Sequence, residues 1–183
     1  LKNMYRIRLW PLGIAVIALI FGSCNVEKRS DAEQVAKAML DRMTLEEKVG
    51  QMAQITLDVV GKGDSLFNSY EPFELDTAEL REAIVDYHVG SVLNSSNNRA
   101  RSLAAWNSIV STIQNVAIAK TRLAIPVLYG IDAVHGANYT AEATLFPQQI
   151  GMAATWNDSL VQAIGSITAY ETRASGIPWV FSP

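Results

Sequence analysis

Pro126-Val127-Leu128-Tyr129-Gly130-Ile131-Asp132 is the stretch on which the fold turns. It is apolar on successive residues rather than alternate ones, opens on a proline and stops at an acid. A short strand of this kind belongs in a parallel sheet with helices packed on its faces. Three weaker runs match it: 53–57 ending at Asp58, 91–93 ending at Asn94, and 179–181 followed by Ser182. Between them the apolar residues change to helical spacing. Ser30 or Asp31 can cap a helix carrying Ala32, Val35, Ala36, Met39, Leu40 and Met43, and Thr44-Leu45-Glu46-Glu47 forms a capping box that opens a short helix to about Gln51. The 61–74 stretch reads as loop and 77–87 as helix; Leu103, Trp106, Val110, Ile113 and Ala117 mark a long helix. Asn157 caps a helix with Leu160, Ile164 and Ile167 on one stripe, stopped by Gly176-Ile177-Pro178.

Four strand–helix units define an α/β fold. Open doubly wound sheets and closed (β/α)8 TIM-type barrels share this pattern. No glycine-rich phosphate loop follows any strand, which disfavours nucleotide binding. A whole barrel takes about 250 residues, so a barrel reading makes this its first half.

With 49% hydrophobic residues in 183, the chain can bury a core, and a net charge of −3 offers no basic surface, so nucleic acid is not an expected partner. The single cysteine excludes an internal disulfide, and nothing in the sequence calls for a cofactor. That cysteine has a telling position. Lys2, Arg6 and Arg8 precede an uncharged run over 9–23, short for a membrane span and suited to a signal peptide. Cys24 follows Phe21-Gly22-Ser23, which resembles a bacterial lipoprotein cleavage site. The expected organisation is a signal peptide over 1–23, a charged tether over 24–30 beginning at an acylated Cys24, and a domain over 31–183. The lipid would make the membrane a partner and place the protein in the periplasm or at the outer membrane. An ordinary secretory signal with an incidental Cys24 is the alternative. Leu1 and the final Val180-Phe181-Ser182-Pro183 read as boundaries within a longer sequence.

In a barrel, function gathers at the carboxyl ends of the strands, which selects Asp58, Asn94, Asp132 and Ser182. Asp132 is the sharpest candidate, because it opens the polar loop Asp132-Ala133-Val134-His135-Gly136-Ala137-Asn138. A carboxylate there can accept hydrogen bonds from a polyhydroxylated ligand; equally, it can cap a turn or pair with a lysine. His135 invites a metal dyad, but a catalytic zinc needs three protein ligands and no third is near, so a hydrogen-bonded structural histidine is expected. His88, ending a helix, would favour the helix dipole as a cation. Glu171, on the stripe of the last helix, is expected to pair with an arginine, and Glu142 to be a solvated loop charge. Trp106, Trp156 and Trp179 read as packing residues.

Ile125-Pro126-Val127-Leu128-Tyr129-Gly130-Ile131-Asp132-Ala133-Val134-His135-Gly136 resembles a block of the glycoside hydrolase family 3 N-terminal domain. The runs Ala143-Thr144-Leu145-Phe146-Pro147-Gln148-Gln149-Ile150-Gly151-Met152-Ala153-Ala154-Thr155, Glu171 to Pro183, and Thr44-Leu45-Glu46-Glu47-Lys48-Val49-Gly50-Gln51-Met52 are similar to three more, in family order. Glu142 stands where many members carry glycine, and Gln148-Gln149 where a histidine is frequent. The resemblance implies a (β/α)8-type barrel in a retaining exo-glycosidase, commonly a β-glucosidase, with β-xylosidase as another specificity. It implies that the nucleophile and the acid/base residue lie beyond residue 183, and that Asp132 binds hydroxyls of the terminal sugar. A non-catalytic sugar-binding lipoprotein on a decayed barrel is the rival reading.

Overall fold

The computed structural model describes residues 27–65 and 67–181. The expected signal peptide over 1–23, Cys24 and Ser182 lie outside the described residues. The chain divides into two units, Leu1–Met43 and Thr44–Pro183. In the first, helix α1 (Glu27–Arg42) starts three residues ahead of Ser30. The last residues of the expected tether therefore join it, and Glu27, Lys28 and Arg29 are all good helix formers.

The second unit opens on the capping box. Thr44 Oγ1 accepts from the Glu47 backbone N–H at 3.2 Å, and the Glu47 carboxylate accepts from Thr44 N at 2.8 Å. Helix α2 (Leu45–Gln51) follows, then strand β1 (Gln54–Thr56) and a 3-10 turn over Leu57–Val60. Within the stretch expected as loop, β2 (Gly63–Ser65) pairs antiparallel with β3 (Asn68–Ser69). Asp76 caps α3 (Thr77–Arg81), and the expected single helix passes at Glu82–Asp86 into a π-helical turn. Strand β4 (Ser91–Leu93), a 3-10 turn over Ser96–Asn98 and α4 (Leu103–Lys120), capped by Ser102, come next. Strand β5 (Leu128–Ile131) is followed by the short α5 (Gln149–Ala153), α6 (Asp158–Ala174), capped by Asn157, and β6 (Trp179–Val180).

The four long-range strands form one parallel sheet in the order β1-β4-β5-β6. A doubly wound sheet reverses its strand order at a switch point, whereas here each new strand adds beyond the last. Four consecutive strand–helix units in that order are the first half of a (β/α)8 TIM-type barrel.

Register sets which residues share a face. Ile55, Val92 and Tyr129 stand side by side, as do Ile131 and Val180. Val92 and Tyr129 are completely buried among Trp106, Ile109, Val110 and Ile113 of α4, with Leu57, Ile84 and Ile177 in the same core. The Trp106 ring meets Tyr129 edge-on at 5.8 Å, and its Nε1–H donates to the Tyr139 carbonyl at 2.8 Å. The opposite face carries Gln54, Leu128 and Trp179, all exposed. Coverage on both faces, expected from the strand composition, is therefore met on the helix side only. Among the described residues the four strands make an open arc, with Leu128 and Trp179 exposed on the face that would line a closed barrel.

In α6 the buried residues are Ile164, Thr168 and Thr172, spaced by four, while Leu160 and Ile167 stay about two-fifths exposed. The inward stripe is thus rotated from the expected one. Gly176, at φ +80°, ends the helix in the left-handed conformation glycine adopts without strain.

Candidate functional site

The residue after Ile131 is Asp132, half-buried at the carboxyl end of β5. Its neighbour across the sheet is Asn94, at the end of β4. Asn94 adopts φ +60°, a conformation asparagine tolerates better than most residues. This turn brings its side chain back to the next strand. Asn94 Nδ2 donates to Asp132 Oδ2 at 2.8 Å, and Asn94 Oδ1 accepts from the Asp132 backbone N–H at 2.9 Å. The Asn94 backbone is held too: its N–H donates to the Gly130 carbonyl at 2.9 Å, and its carbonyl accepts from the Tyr129 hydroxyl at 2.6 Å. Burial pushes the Tyr129 phenol far above its ordinary range, so this hydroxyl remains a donor at any physiological pH.

Asp58 is buried in the 3-10 turn after β1, where it accepts from the Ser69 hydroxyl at 3.3 Å. Ser69 belongs to the β2–β3 hairpin, which Asn97 clamps: its Oδ1 accepts from Ser69 N at 3.1 Å and its Nδ2 donates to Ser69 O at 2.7 Å. Arg101 completes the clamp. Buried to 7% side-chain exposure, it pairs with Glu71 at 3.3 Å, donates to Ser96 Oγ and lies 4.5 Å from the centre of the Phe73 ring. Burial works to raise the Glu71 carboxyl, yet hydrogen bonds from Arg101 and Asn97, with the charges of Arg101 and Arg99, together hold it below the usual carboxylate range. The loops after β1 and β4 are thereby fastened to one another beside the strand ends.

The loop after Asp132 closes on itself. His135 Nδ1 lies 3.0 Å from the Phe146 carbonyl, and Phe146 N donates to His135 O at 3.0 Å. A carbonyl only accepts, so the imidazole proton sits on Nδ1. His135 is the structural, hydrogen-bonded histidine that the sequence suggests. Gly136 sits at φ +79°, and a Cβ there would meet the Thr144 carbonyl at 2.5 Å. Glu171 does not turn to an arginine. Its carboxylate accepts from Thr144 N at 3.1 and 3.2 Å and from Thr144 Oγ1 at 2.9 Å, so the loop after β5 takes the place expected for an arginine. Glu142 is exposed at φ +70°. Trp156, expected to pack, is 94% exposed at φ +52°, where a turn after α5 directs it outward. Trp179 is 39% exposed and edge-on to Phe181. His88 sits away from the strand ends, where its carbonyl accepts from Gln51 Nε2 at 3.2 Å.

Of the strand-end residues picked from sequence, the structure brings Asn94 and Asp132 together and sets Asp58 under the hairpin. Arg101, Glu71 and Asn97 escaped the sequence reading, since a lone arginine and a loop glutamate carry no spacing signal. Chemically, the arrangement offers a held carboxylate with one oxygen engaged by an amide and the other without a hydrogen bond among the described residues, suited to accepting from hydroxyls.

A half-barrel with its polar cluster at the carboxyl ends of its strands has the build of an enzyme barrel, where binding groups collect on that face. The chain belongs to glycosyl hydrolase family 3, whose N-terminal domain it matches over residues 44–183. It is 33% identical over 166 residues to the lysosomal beta glucosidase of Dictyostelium discoideum, covering 87% of this chain and 19% of that protein. It is 26% identical over 145 residues to the periplasmic beta-glucosidase of Salmonella typhimurium, covering 79% of this chain and 15% of that one. Among solved structures, the exo-1,3/1,4-beta-glucanase of a Pseudoalteromonas species superposes with a TM-score of 0.63 at 30% identity, over 82% of this chain and 17% of that chain. The chain thus spans about a fifth or less of the length of these relatives.

Proposed function

We propose that the polypeptide carrying this chain is a retaining exo-glycosidase that removes terminal β-D-glucosyl residues from oligosaccharides or glucosides, and that Asp132 is a sugar-binding residue of its active site. The observation that carries this reading is the half-buried Asp132 carboxylate at the end of β5, held at one oxygen by Asn94. The named activities of the two beta-glucosidases and the beta-glucanase support the substrate class. Retention needs two carboxyl groups about 5–5.5 Å apart, a nucleophile and an acid/base. Both are assigned to later parts of the polypeptide, so this portion binds and orients the sugar. Asp132 accepts from the hydroxyls of the terminal residue, and no cofactor takes part.

The same reading makes residues 1–23 a signal peptide and 24–30 a tether from an acylated Cys24, with the enzyme held on the periplasmic side of a membrane. The charged start, the uncharged run over 9–23 and the position of Cys24 support it, as does the periplasmic naming of the Salmonella relative. In a Cys24→Ser variant the protein should move from the membrane fraction to the soluble one; unchanged partitioning favours a plain secretory signal.

The test of the site is steady-state kinetics of the whole protein on p-nitrophenyl β-glucoside. Asp132→Ala should lower kcat/KM at least tenfold, since a hydrogen bond to a charged group contributes about 1.5–3 kcal/mol. Asp132→Asn should recover part of the loss. If Asp132→Ala folds and keeps wild-type kcat/KM, Asp132 is a turn residue only.

A further inference from the structure

We infer that Asn94 is a positioning residue for substrate binding, fixing the Asp132 carboxylate so that Oδ1 alone faces the sugar; this rests on the reading of Asp132 given above. Three features of the geometry support it. First, the left-handed backbone at Asn94, φ +60°, is a conformation that side chains other than glycine, asparagine and aspartate adopt at a cost. A glycine would satisfy the turn alone. Asparagine adds a carboxamide, and both of its ends are used on the same neighbour: Nδ2 donates to Asp132 Oδ2 at 2.8 Å, and Oδ1 accepts from the Asp132 backbone N–H at 2.9 Å. The backbone bond anchors the carboxamide, and the Nδ2 bond then restrains the rotation about χ2 by which a free aspartate would exchange its oxygens.

Second, the clasp has a rigid base. The Asn94 carbonyl accepts from Tyr129 Oη at 2.6 Å, and Tyr129 is fully buried, wedged against Trp106. A buried phenol hydroxyl is thus committed to holding this one turn. Third, the clasp is asymmetric. Among the described residues Asp132 Oδ1 takes no hydrogen bond, so the carboxylate keeps that oxygen for a hydroxyl while Oδ2 already accepts from Asn94. A carboxylate free to rotate would have to lose that freedom on binding, at the expense of affinity. With Asn94 in place, the ordering is done before substrate arrives.

The experiment is a double-mutant cycle on the whole protein. Asn94→Gly keeps the turn and removes the clasp. Asn94→Asp keeps the turn and sets a second carboxylate against Asp132. Kinetics on p-nitrophenyl β-glucoside and on its 2-, 3-, 4- and 6-deoxy analogues are measured with thermal melts. Asn94→Gly should lower kcat/KM about tenfold on the glucoside, and Asn94→Asp at least as far. Both should lose discrimination against the same deoxy analogue that Asp132→Ala fails to discriminate, a loss that a merely structural role would not produce. In the Asp132→Ala background, Asn94→Gly should cost little more, because its effect passes through Asp132. If Asp132→Ala lowers kcat/KM but Asn94→Gly keeps wild-type discrimination, or if the two losses multiply in full, the inference about Asn94 is overturned while the reading of Asp132 stands. If Asp132→Ala itself behaves as wild type, that reading fails, and Asn94 with it. Should Asn94→Gly not fold, Asn94→Asp carries the same comparison alone: loss of the same discrimination supports the inference, and its retention overturns it.

Discussion

Gly136 is the residue on which the loop after β5 depends most directly. Its φ of +79° suits glycine, and a methyl group would press on the Thr144 carbonyl at 2.5 Å and on the Phe146 ring at 2.8 Å. The same segment carries the His135–Phe146 hydrogen bonds and the Thr144 amide that Glu171 holds. Gly136→Ala should therefore cost about 1–3 kcal/mol through strain and crowding, read as a lower Tm, and should reduce kcat/KM by displacing the loop that begins at Asp132. A second residue-scale expectation concerns pH. The Glu71 carboxyl is held below its ordinary value in the folded protein, while unfolding returns it to about 4.3. Its contribution to stability is complete above that unfolded value and disappears as the pH falls through the folded one. Wild-type protein and Glu71→Gln should consequently differ most in Tm near neutral pH and converge on acidification below about 4. A difference that grows toward acid would contradict the assignment.

At the scale of elements, the clearest device is the start of α2. Glu47 does two things there: it completes the capping box with Thr44 and accepts from Arg122 at 2.6 Å, the hydrogen bond that chiefly lowers its pKa. Arg122 lies just beyond α4, so the cap of one helix is tied to the end of another. Thr44→Ala should destabilise the first turn by about 1 kcal/mol, seen as faster amide exchange at Glu46–Lys48, whereas Glu47→Gln, which can still cap, should weaken the tie to Arg122 and leave that exchange nearer to wild type. Acceleration in Glu47→Gln but not in Thr44→Ala would mean that the tie, not the cap, holds the turn. The elements also show where pattern reading succeeds. Runs ending at Asp58, Asn94 and Asp132 do become strands, and Thr44 and Asn157 do cap helices, because these signals are local. The β2–β3 hairpin escaped the pattern, because its clamp is distant in sequence. Asn97, for one, lies 28 residues from the Ser69 it clamps.

At the scale of the whole fold, the parallel sheet β1-β4-β5-β6 has, among the described residues, two unpaired edges and a face with Leu128 and Trp179 exposed. Open strand edges and uncovered apolar surface promote association. Residues 44–183 expressed alone should accordingly aggregate, or form an expanded state without a cooperative melt. Size-exclusion chromatography and calorimetry decide this, and a monomeric peak with a sharp transition would mean that the half-barrel is self-sufficient.

By itself the sequence determined the α/β class, the four strands and their order along the chain, the caps at Thr44 and Asn157, and the position of Asp132 at a strand end. All of these follow from hydrophobic periodicity and turn chemistry, which act over a few residues. Only the tertiary structure decided that the strands add in one direction, as a barrel requires, that α6 turns Thr168 and Thr172 inward, and that Glu171 meets Thr144 instead of an arginine. It also decided that Asn94 closes on Asp132 across 38 positions of chain. Side-chain partners of that kind depend on where the backbone brings two strand ends together in space, and no spacing within a single chain segment encodes that distance.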